Sequence, residues 1–309
     1  MKRHVAWVAA LLAGLAVNAW ADTPGTVAED PFDLGTSATI MGMGGAAAAA
    51  PGGLWSLGYN PAGLAEINDW RVGLSYFNWI ASTSVAYGAI GAPRGFAGGV
   101  VSFDQGSITI TDQFATAGSD QVRDFGAIAG YGTKLPGALS PIRVGLSAQY
   151  WQKNLAGTSA GTFGVNLGAA YQMLDDQVTV GAYVQNLGPS LKFETSEEDR
   201  QPTAVAGGIH WAMKKSENQI VRFGVLADVV KPRSRDLLFA GGGQVVFNDL
   251  LALRAGANNF GDKTRLTYGA GISYRSFGFD YAYGTVGLLE TDTSIHRISF
   301  GFGPPLLAQ

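Results

Sequence analysis

The sequence predicts an all-β fold, a 14-stranded antiparallel transmembrane β-barrel with an N-terminal plug segment. Three observations point there. The first is alternation. From Ile142 to Tyr150 every even position is apolar, and every odd position is polar or glycine. The same pattern returns over 178–185, 251–258 and 266–275. A period of two gives a strand with one greasy and one wet face. Repeats of about ten such residues between turns mark a transmembrane barrel. The second observation is that nothing after the first twenty or so residues is apolar for long enough to cross as a helix. The alanine run 46–50 is broken at once by Pro51-Gly52-Gly53. Membrane insertion must therefore use strands. The third is that the candidate strands sum to an even number, as in bacterial single-chain barrels.

In chain order, residues 1–21 read as a secretory signal peptide. Lys2 and Arg3 open it, an apolar stretch fills 5–17, and Ala19-Trp20-Ala21 supplies the cleavage site. Residues 22–69 are expected to form the plug segment, with a periplasmic extension as the alternative, 70–302 the barrel, and 303–309 a C-terminal tail. The expected location is the outer membrane of a Gram-negative-type bacterium, in contact with its lipid. With 21 Lys+Arg against 24 Asp+Glu the net charge is −3, so no basic excess suggests nucleic acid. No cysteine is present, which removes disulfides and thiolate metal sites.

The strand pattern runs over 70–80, 83–91, 95–105, 121–133, 141–152, 159–171, 176–187, 203–214, 219–231, 236–248, 250–259, 264–276, 277–286 and 293–302. The long connections are 106–120, 188–202 and 287–292, all at odd places in the order. The even connections, such as Ala92-Pro93-Arg94 and Asn248-Asp249, are mostly short. That parity is the one expected of long outer loops and short periplasmic turns.

The two phases differ in kind. One carries Trp70, Val72, Leu74, Tyr76, Tyr150, Phe163, Tyr268, Tyr274, Phe300 and Phe302, a lipid face with aromatic girdles. The other carries Arg71, Arg143, Arg222, Asp228, Arg254, Arg265, Arg275, Asp280 and Arg297. A charge facing lipid at the midplane costs roughly 2–4 kcal/mol, so these are expected to line the lumen as ligand or plug contacts. The same inward phase holds Gly73, Gly145, Gly164, Gly168, Gly181, Gly224, Gly256, Gly269, Gly271, Gly278 and Gly301. Inward glycines invite close approach by another backbone, or else relieve curvature. A soluble β-sandwich would show a wetter outer face than this glycine- and arginine-rich phase.

The plug segment holds Gly42, Gly44 and Gly45 in Met41-Gly42-Met43-Gly44-Gly45-Ala46, and Asn60, Pro61 and Gly63 in Tyr59-Asn60-Pro61-Ala62-Gly63-Leu64-Ala65. The first allows close packing and the second marks a turn. A short helix around 53–59 fits the residues. With these motifs, with Asn186-Leu187-Gly188-Pro189 before Leu191-Lys192-Phe193, with Phe279-Asp280-Tyr281-Ala282-Tyr283 and with the terminal His296-Arg297-Ile298-Ser299-Phe300-Gly301-Phe302, the chain resembles the PorV/PorQ family of outer-membrane proteins, itself related to FadL-type transporters. Two departures stand out. Residues 47–57 carry no charge where the family has acids, and residues 303–309 follow the final aromatic residue.

The resemblance implies a role in type IX-like secretion, binding secreted cargo or partner outer-membrane proteins. The alternative is FadL-like transport of hydrophobic small molecules across the outer membrane, with a hydrophobic ligand. No enzyme is expected. Beyond the signal peptide only His210 and His296 remain, without a placeable serine and acid. The acidic loop 195–200 reads as solvated. No cofactor and no metal are expected.

Overall fold

A computed structural model describes residues 35–78, 83–111, 116–155, 158–192, 198–216, 219–259, 264–288 and 291–304. The signal-peptide expectation for 1–21 and the plug expectation for 22–34 lie outside these residues, as does the tail over 305–309. The strands are β1 Arg71–Asn78, β2 Ser84–Ala92, β3 Phe96–Thr111, β4 Thr116–Lys134, β5 Ile142–Leu155, β6 Thr158–Met173, β7 Val178–Leu187, β8 Leu191–Lys192, β9 Glu198–Asp199, β10 Ala204–Ala212, β11 Val221–Pro232, β12 Leu238–Phe247, β13 Leu251–Asn258, β14 Arg265–Tyr274, β15 Phe277–Leu288 and β16 Thr291–Phe302. Strands β8 and β9 pair only with each other, and the other fourteen close one barrel in chain order. Closure is the antiparallel pairing of β1 with β16, Val72 opposite Phe302 through Phe77 opposite Arg297. A closed ring leaves no unpaired edge in hydrocarbon.

The period-two pattern sets the two faces. On β1 burial alternates at every residue, with Leu74 57 % exposed and Ser75 6 %. Tyr150, Phe163, Tyr268, Ile272, Tyr274, Phe300 and Phe302 are likewise exposed on the outer face. Cross-strand aromatic pairs stiffen this wall, with ring centroids 4.9 Å apart for Phe279–Phe300 and 4.7 Å for Phe96–Tyr131.

One end of the barrel, the turn end, carries the even connections and the junction of the N-terminal segment with β1. The other, the loop end, corrects the sequence reading. The expected long connections 106–120 and 287–292 are mostly strand. β3 runs on to Thr111 and β4 starts at Thr116, with a register shift between Asp104 and Ser107. β15 and β16 pair out to Leu288 opposite Thr291. The physical reason is local. Ser107-Ile108-Thr109-Ile110-Thr111 is itself an alternating β-branched strand sequence. With 16 and 19 residues, β3 and β4 outrun the about ten residues a bilayer needs. The connection 188–202 holds the small β8–β9 pair; residues 193–197, with them the first half of the acidic loop 195–200, lie outside the described residues.

Residues 35–67 lie inside the ring, and Asn68 and Asp69 lead out to β1. Those inside form helix α1, Ala38–Gly42, and two 3-10 helices, Leu54–Gly58 and Pro61–Glu66. Ser37 caps α1, its hydroxyl accepting from the Thr39 N–H at 3.1 Å. Asn60 caps the second 3-10 helix, accepting from the Ala62 N–H at 3.1 Å with Pro61 at the first position.

Candidate functional site

The segment meets the wall at glycines. A Cβ at Gly145 would collide with the Pro61 carbonyl, one at Gly168 with Asn60 Oδ1, one at Gly181 with the Ala48 carbonyl, and one at Gly256 with the Gly44 nitrogen. Gly42 faces Gly269, where a Cβ on Gly42 would lie 3.1 Å from the opposing Cα. Gly73 faces Leu54 and Trp55. Gly164, Gly224 and Gly271 differ, since their nearest neighbours are wall residues such as Gln149, His210 and Asp280. Within the segment, Gly44 and Gly45 take positive φ of 81° and 86° where the chain leaves α1. Gly63 packs against Ser56.

Hydrogen bonds then pin the segment on one side. Asp228 Oδ2 accepts from the Ala47 and Ala48 N–H groups at 2.6 and 2.7 Å. Asn60 Nδ2 donates to the Ala48 carbonyl at 2.6 Å and to the Ala169 carbonyl at 3.2 Å. Gly44 donates to Thr267 Oγ1 at 3.0 Å, and Asn258 Nδ2 donates to the Gly44 carbonyl at 2.9 Å. Ala38 donates to Ser299 Oγ at 3.0 Å. Buried donors without these acceptors would each cost about 1–3 kcal/mol.

The remaining charged positions fall as follows. Arg254 and Asp280 form a buried pair at 2.6 Å, with Arg254 Nε donating to Gln244 at 3.3 Å. Arg143 is buried and pairs with Glu66 of the segment at 3.1 Å. Arg297 is buried, its guanidinium 3.8 Å from the Phe77 ring centroid. Arg71 and Arg265 are buried on the inner face at opposite ends. Arg222 is only half-buried and pairs with Asp249 in the β12–β13 turn at 2.5 Å. Arg275 is a correction. It sits exposed in the two-residue β14–β15 turn with φ 52°, its guanidinium 5.3 Å from the Tyr274 ring. A tight turn breaks the inward–outward alternation, so phase counting through it assigns the wrong face.

A second polar cluster lies on β5–β7. The β6–β7 ladder shifts register between Val165 and Leu167, and Asn186 takes φ 59° there. Its N–H donates to Asn166 Oδ1 at 2.8 Å, and its own Oδ1 accepts from Gln149 Nε2 at 2.8 Å. Thr203 Oγ1 donates to the Asn186 carbonyl at 3.0 Å, tying the loop to this bulge.

The opposite half of the lumen is apolar, and sequence reading by phase missed it. Phe77, Val85 and Phe103 share one level, Tyr87 and Val101 the next, then Ala89 with Ile128, then Ala97. Leu54, Leu57, Leu64 and Ile67 of the segment close the turn end of this column, with Met41 and Trp55 packed against it. Such strands are apolar on both faces. The signal was the apolar doublets Tyr76-Phe77 and Val100-Val101, which break the alternation.

His210 is buried on the inner face of β10, and its Nε2 makes no hydrogen bond. His296 is on the outer face, its Nδ1 2.7 Å from the Tyr281 hydroxyl. Neither, among the described residues, is bonded to a serine or a carboxylate. Among the described residues no cluster of three or more metal-ligating side chains occurs.

No protein-family model and no curated protein matches the sequence. Solved structures do match in fold. The Ralstonia pickettii toluene transporter TbuX is 14 % identical, with a TM-score of 0.60, covering 87 % of this chain and 98 % of its own. The Pseudomonas putida toluene transporter TodX is 15 % identical, with a TM-score of 0.55, covering 86 % and 96 %. The CymD monoaromatic hydrocarbon channel is 14 % identical, with a TM-score of 0.54, covering 87 % and 98 %. The closed 14-strand antiparallel barrel is thus a fold shared with these solved structures.

Proposed function

We propose that this chain is an outer-membrane transporter that passes uncharged hydrophobic small molecules through the apolar half of its lumen. The observation that carries this reading is the column from Phe77, Val85 and Phe103 down to Leu54 and Ile67. A barrel built only to hold a partner through its loops has no need of an apolar inner wall. Water would wet a polar lumen, and burying apolar surface there gains about 25 cal/mol per Å² only if something apolar fills it. In this structure Leu54, Leu57, Leu64 and Ile67 of the segment pack against its turn end; during transport the passing molecule takes their place. The neighbours in fold, described as a toluene transporter and a monoaromatic hydrocarbon channel, support the substrate class.

In this reading residues 35–69 are the plug, the turn end faces the periplasm and the loop end faces outside. Residues 1–21 would direct export. The protein does no covalent chemistry, and the neighbours in fold, being transporters and channels, favour that view. The secretion-partner role that the PorV/PorQ resemblance implies has no comparable observation behind it.

The test is uptake. Cells with an intact outer membrane and this protein should take up a labelled one-ring hydrocarbon faster than cells without it. A hydrophilic β-lactam should enter no faster. Val101→Asp, which puts a charge into the column, should abolish the gain in an assembled barrel. Equal hydrocarbon uptake with and without the protein would overturn the reading.

A further inference from the structure

The wall bonds to residues 35–49 and 59–67 of the segment but not to the stretch between. Asp228 holds Ala47 and Ala48, and Asn60 ties the Ala48 carbonyl to the Ala169 carbonyl. Past these, Arg143 pairs with Glu66, and Gly95 donates to the Ile67 carbonyl at 3.1 Å. Residues 50–58 are bonded only within the segment. Ala50 donates to Ala47, Gly53 to Gly63, Ser56 to Gly53, and the Trp55 carbonyl accepts from Thr36 Oγ1 at 3.4 Å. Among the described residues no hydrogen bond joins this stretch to a barrel strand. Its hold on the wall is apolar packing alone, Leu54 against Gly73 and Gly91, Leu57 against Gly130, and Trp55 with its ring 6.1 Å from Tyr87.

That stretch closes the turn end of the apolar column. It begins at Pro51-Gly52-Gly53, where Pro51 is exposed and Gly53 takes φ 140°, a conformation open to glycine alone. It ends at Asn60, which is anchored. Two fixed points with a span between them that has no hydrogen bond to the wall make a hinged element, because opening it breaks packing and the bonds to Gly63 and Thr36 but no wall hydrogen bond.

We propose that residues 50–58 are a door at the turn end of the apolar column, and that Trp55 is the side chain that sets how large a molecule passes it. The clamp of Asp228 and Asn60 keeps the rest of the segment in place while the door swings from β1–β4. The size limit rests on the transport reading above; the swing does not. Trp55 presents the door's largest side chain to the column, and Gly73 leaves the space its indole fills.

Two measurements on the full chain in native-like bilayers test this. In amide hydrogen exchange residues 54–58 should exchange faster than 47–48 and 62–64. Equal protection across the segment would overturn the door, whatever the protein transports. The second uses the absence of native cysteine. Leu54→Cys with Gly91→Cys, positions joined in the wild type by a Leu54 methyl 3.3 Å from where a Cβ on Gly91 would lie, should cross-link the door to β2 through a short bis-methanethiosulfonate reagent. Cross-linked protein should lose toluene uptake and regain it on reduction; uptake undiminished by the cross-link would sink the door. Trp55→Ala should raise the uptake of naphthalene relative to toluene several-fold, and Trp55→Phe should restore most of the wild-type ratio. An unchanged ratio in an assembled Trp55→Ala barrel would remove Trp55 as the size limit. Fast exchange at 54–58 with no hydrocarbon uptake by the intact protein would instead uphold the door and reject the transport reading.

Discussion

At Gly181 the wall and the segment touch backbone to backbone, because a Cβ there would overlap the Ala48 carbonyl. That carbonyl is also the acceptor for Asn60, and the Ala48 N–H is held by Asp228. A methyl at 181 therefore pushes on a part of the segment that cannot yield without breaking hydrogen bonds. Overpacking of this sort costs typically about 1–3 kcal/mol. Gly181→Ala should lower the midpoint of thermal unfolding in detergent, followed by the heat-dependent gel shift of the folded barrel. Gly98→Ala is the control. It lies on the outer wall of β3, and its Cβ would find only the Ile128 carbonyl at 3.7 Å. An equal loss from both substitutions would show that Gly181 matters for strand conformation rather than for approach of the segment.

Among the elements, the β12–β13 hairpin shows how a turn and its charges cooperate. Asn248 and Asp249 both take positive φ, 52° and 54°, the pairing that a two-residue hairpin turn requires. Asp249 then meets Lys215 at 2.7 Å and Arg222 at 2.5 Å, joining the β10–β11 connection and β11 to this turn. Partial burial pushes the Asp249 carboxyl up, but the hydrogen bonds from Lys215 and Arg222 outweigh it and hold the carboxyl below its ordinary value. A depressed folded value means that the pair stabilises fully above the unfolded carboxyl value of about 3.9. The contribution fades as pH falls through the lower folded value. The site is partly exposed, so its size is that of a surface pair, about 0–1 kcal/mol. Asp249→Asn should thus be slightly less stable than wild type at pH 7, with the gap closing as the pH is taken from 4 towards 2. A gap that persists at pH 2 would mean that the turn backbone, not the ion pairs, carries the effect.

For the whole molecule, a ring of fourteen strands is wider than its own inward side chains can fill, about eight strands being the limit for that. The segment supplies the missing volume. It is pinned by hydrogen bonds on the polar half and packed by Leu54, Leu57, Leu64 and Ile67 on the apolar half. Deleting residues 36–65 should leave a barrel that still assembles, because every barrel strand finds both partners without the segment. Its planar-bilayer conductance should rise well above that of the intact protein, and small hydrophilic antibiotics should enter cells faster. An assembled deletion variant as tight as the intact protein would show that the segment does not seal the lumen.

The sequence by itself determined the barrel. Alternation with period two, glycine and arginine on one phase and aromatics on the other are local properties, and apart from the closing β1–β16 pair the strand pairing in chain order needs nothing longer-ranged than neighbours. All fourteen barrel strands were legible from it, with the ends of β3, β4, β15 and β16 drawn too short; on β3 loop composition was read where Ile108 and Ile110 continue the strand pattern. Tertiary structure decided what meets across the lumen. That Asp228 holds Ala47 and Ala48, some 180 residues away in sequence, follows from closure of the ring, and no periodicity encodes it. Arg275 was lost to a turn that phase counting cannot pass. The apolar column was hidden for the opposite reason. Phe77, Val85, Tyr87 and Val101 look like ordinary strand residues one at a time, and only the registers of β1, β2 and β3 stack them into one continuous inner face. Which side chains gather in the lumen is set by strand stagger around a closed ring, a property of the whole circuit that no single strand contains.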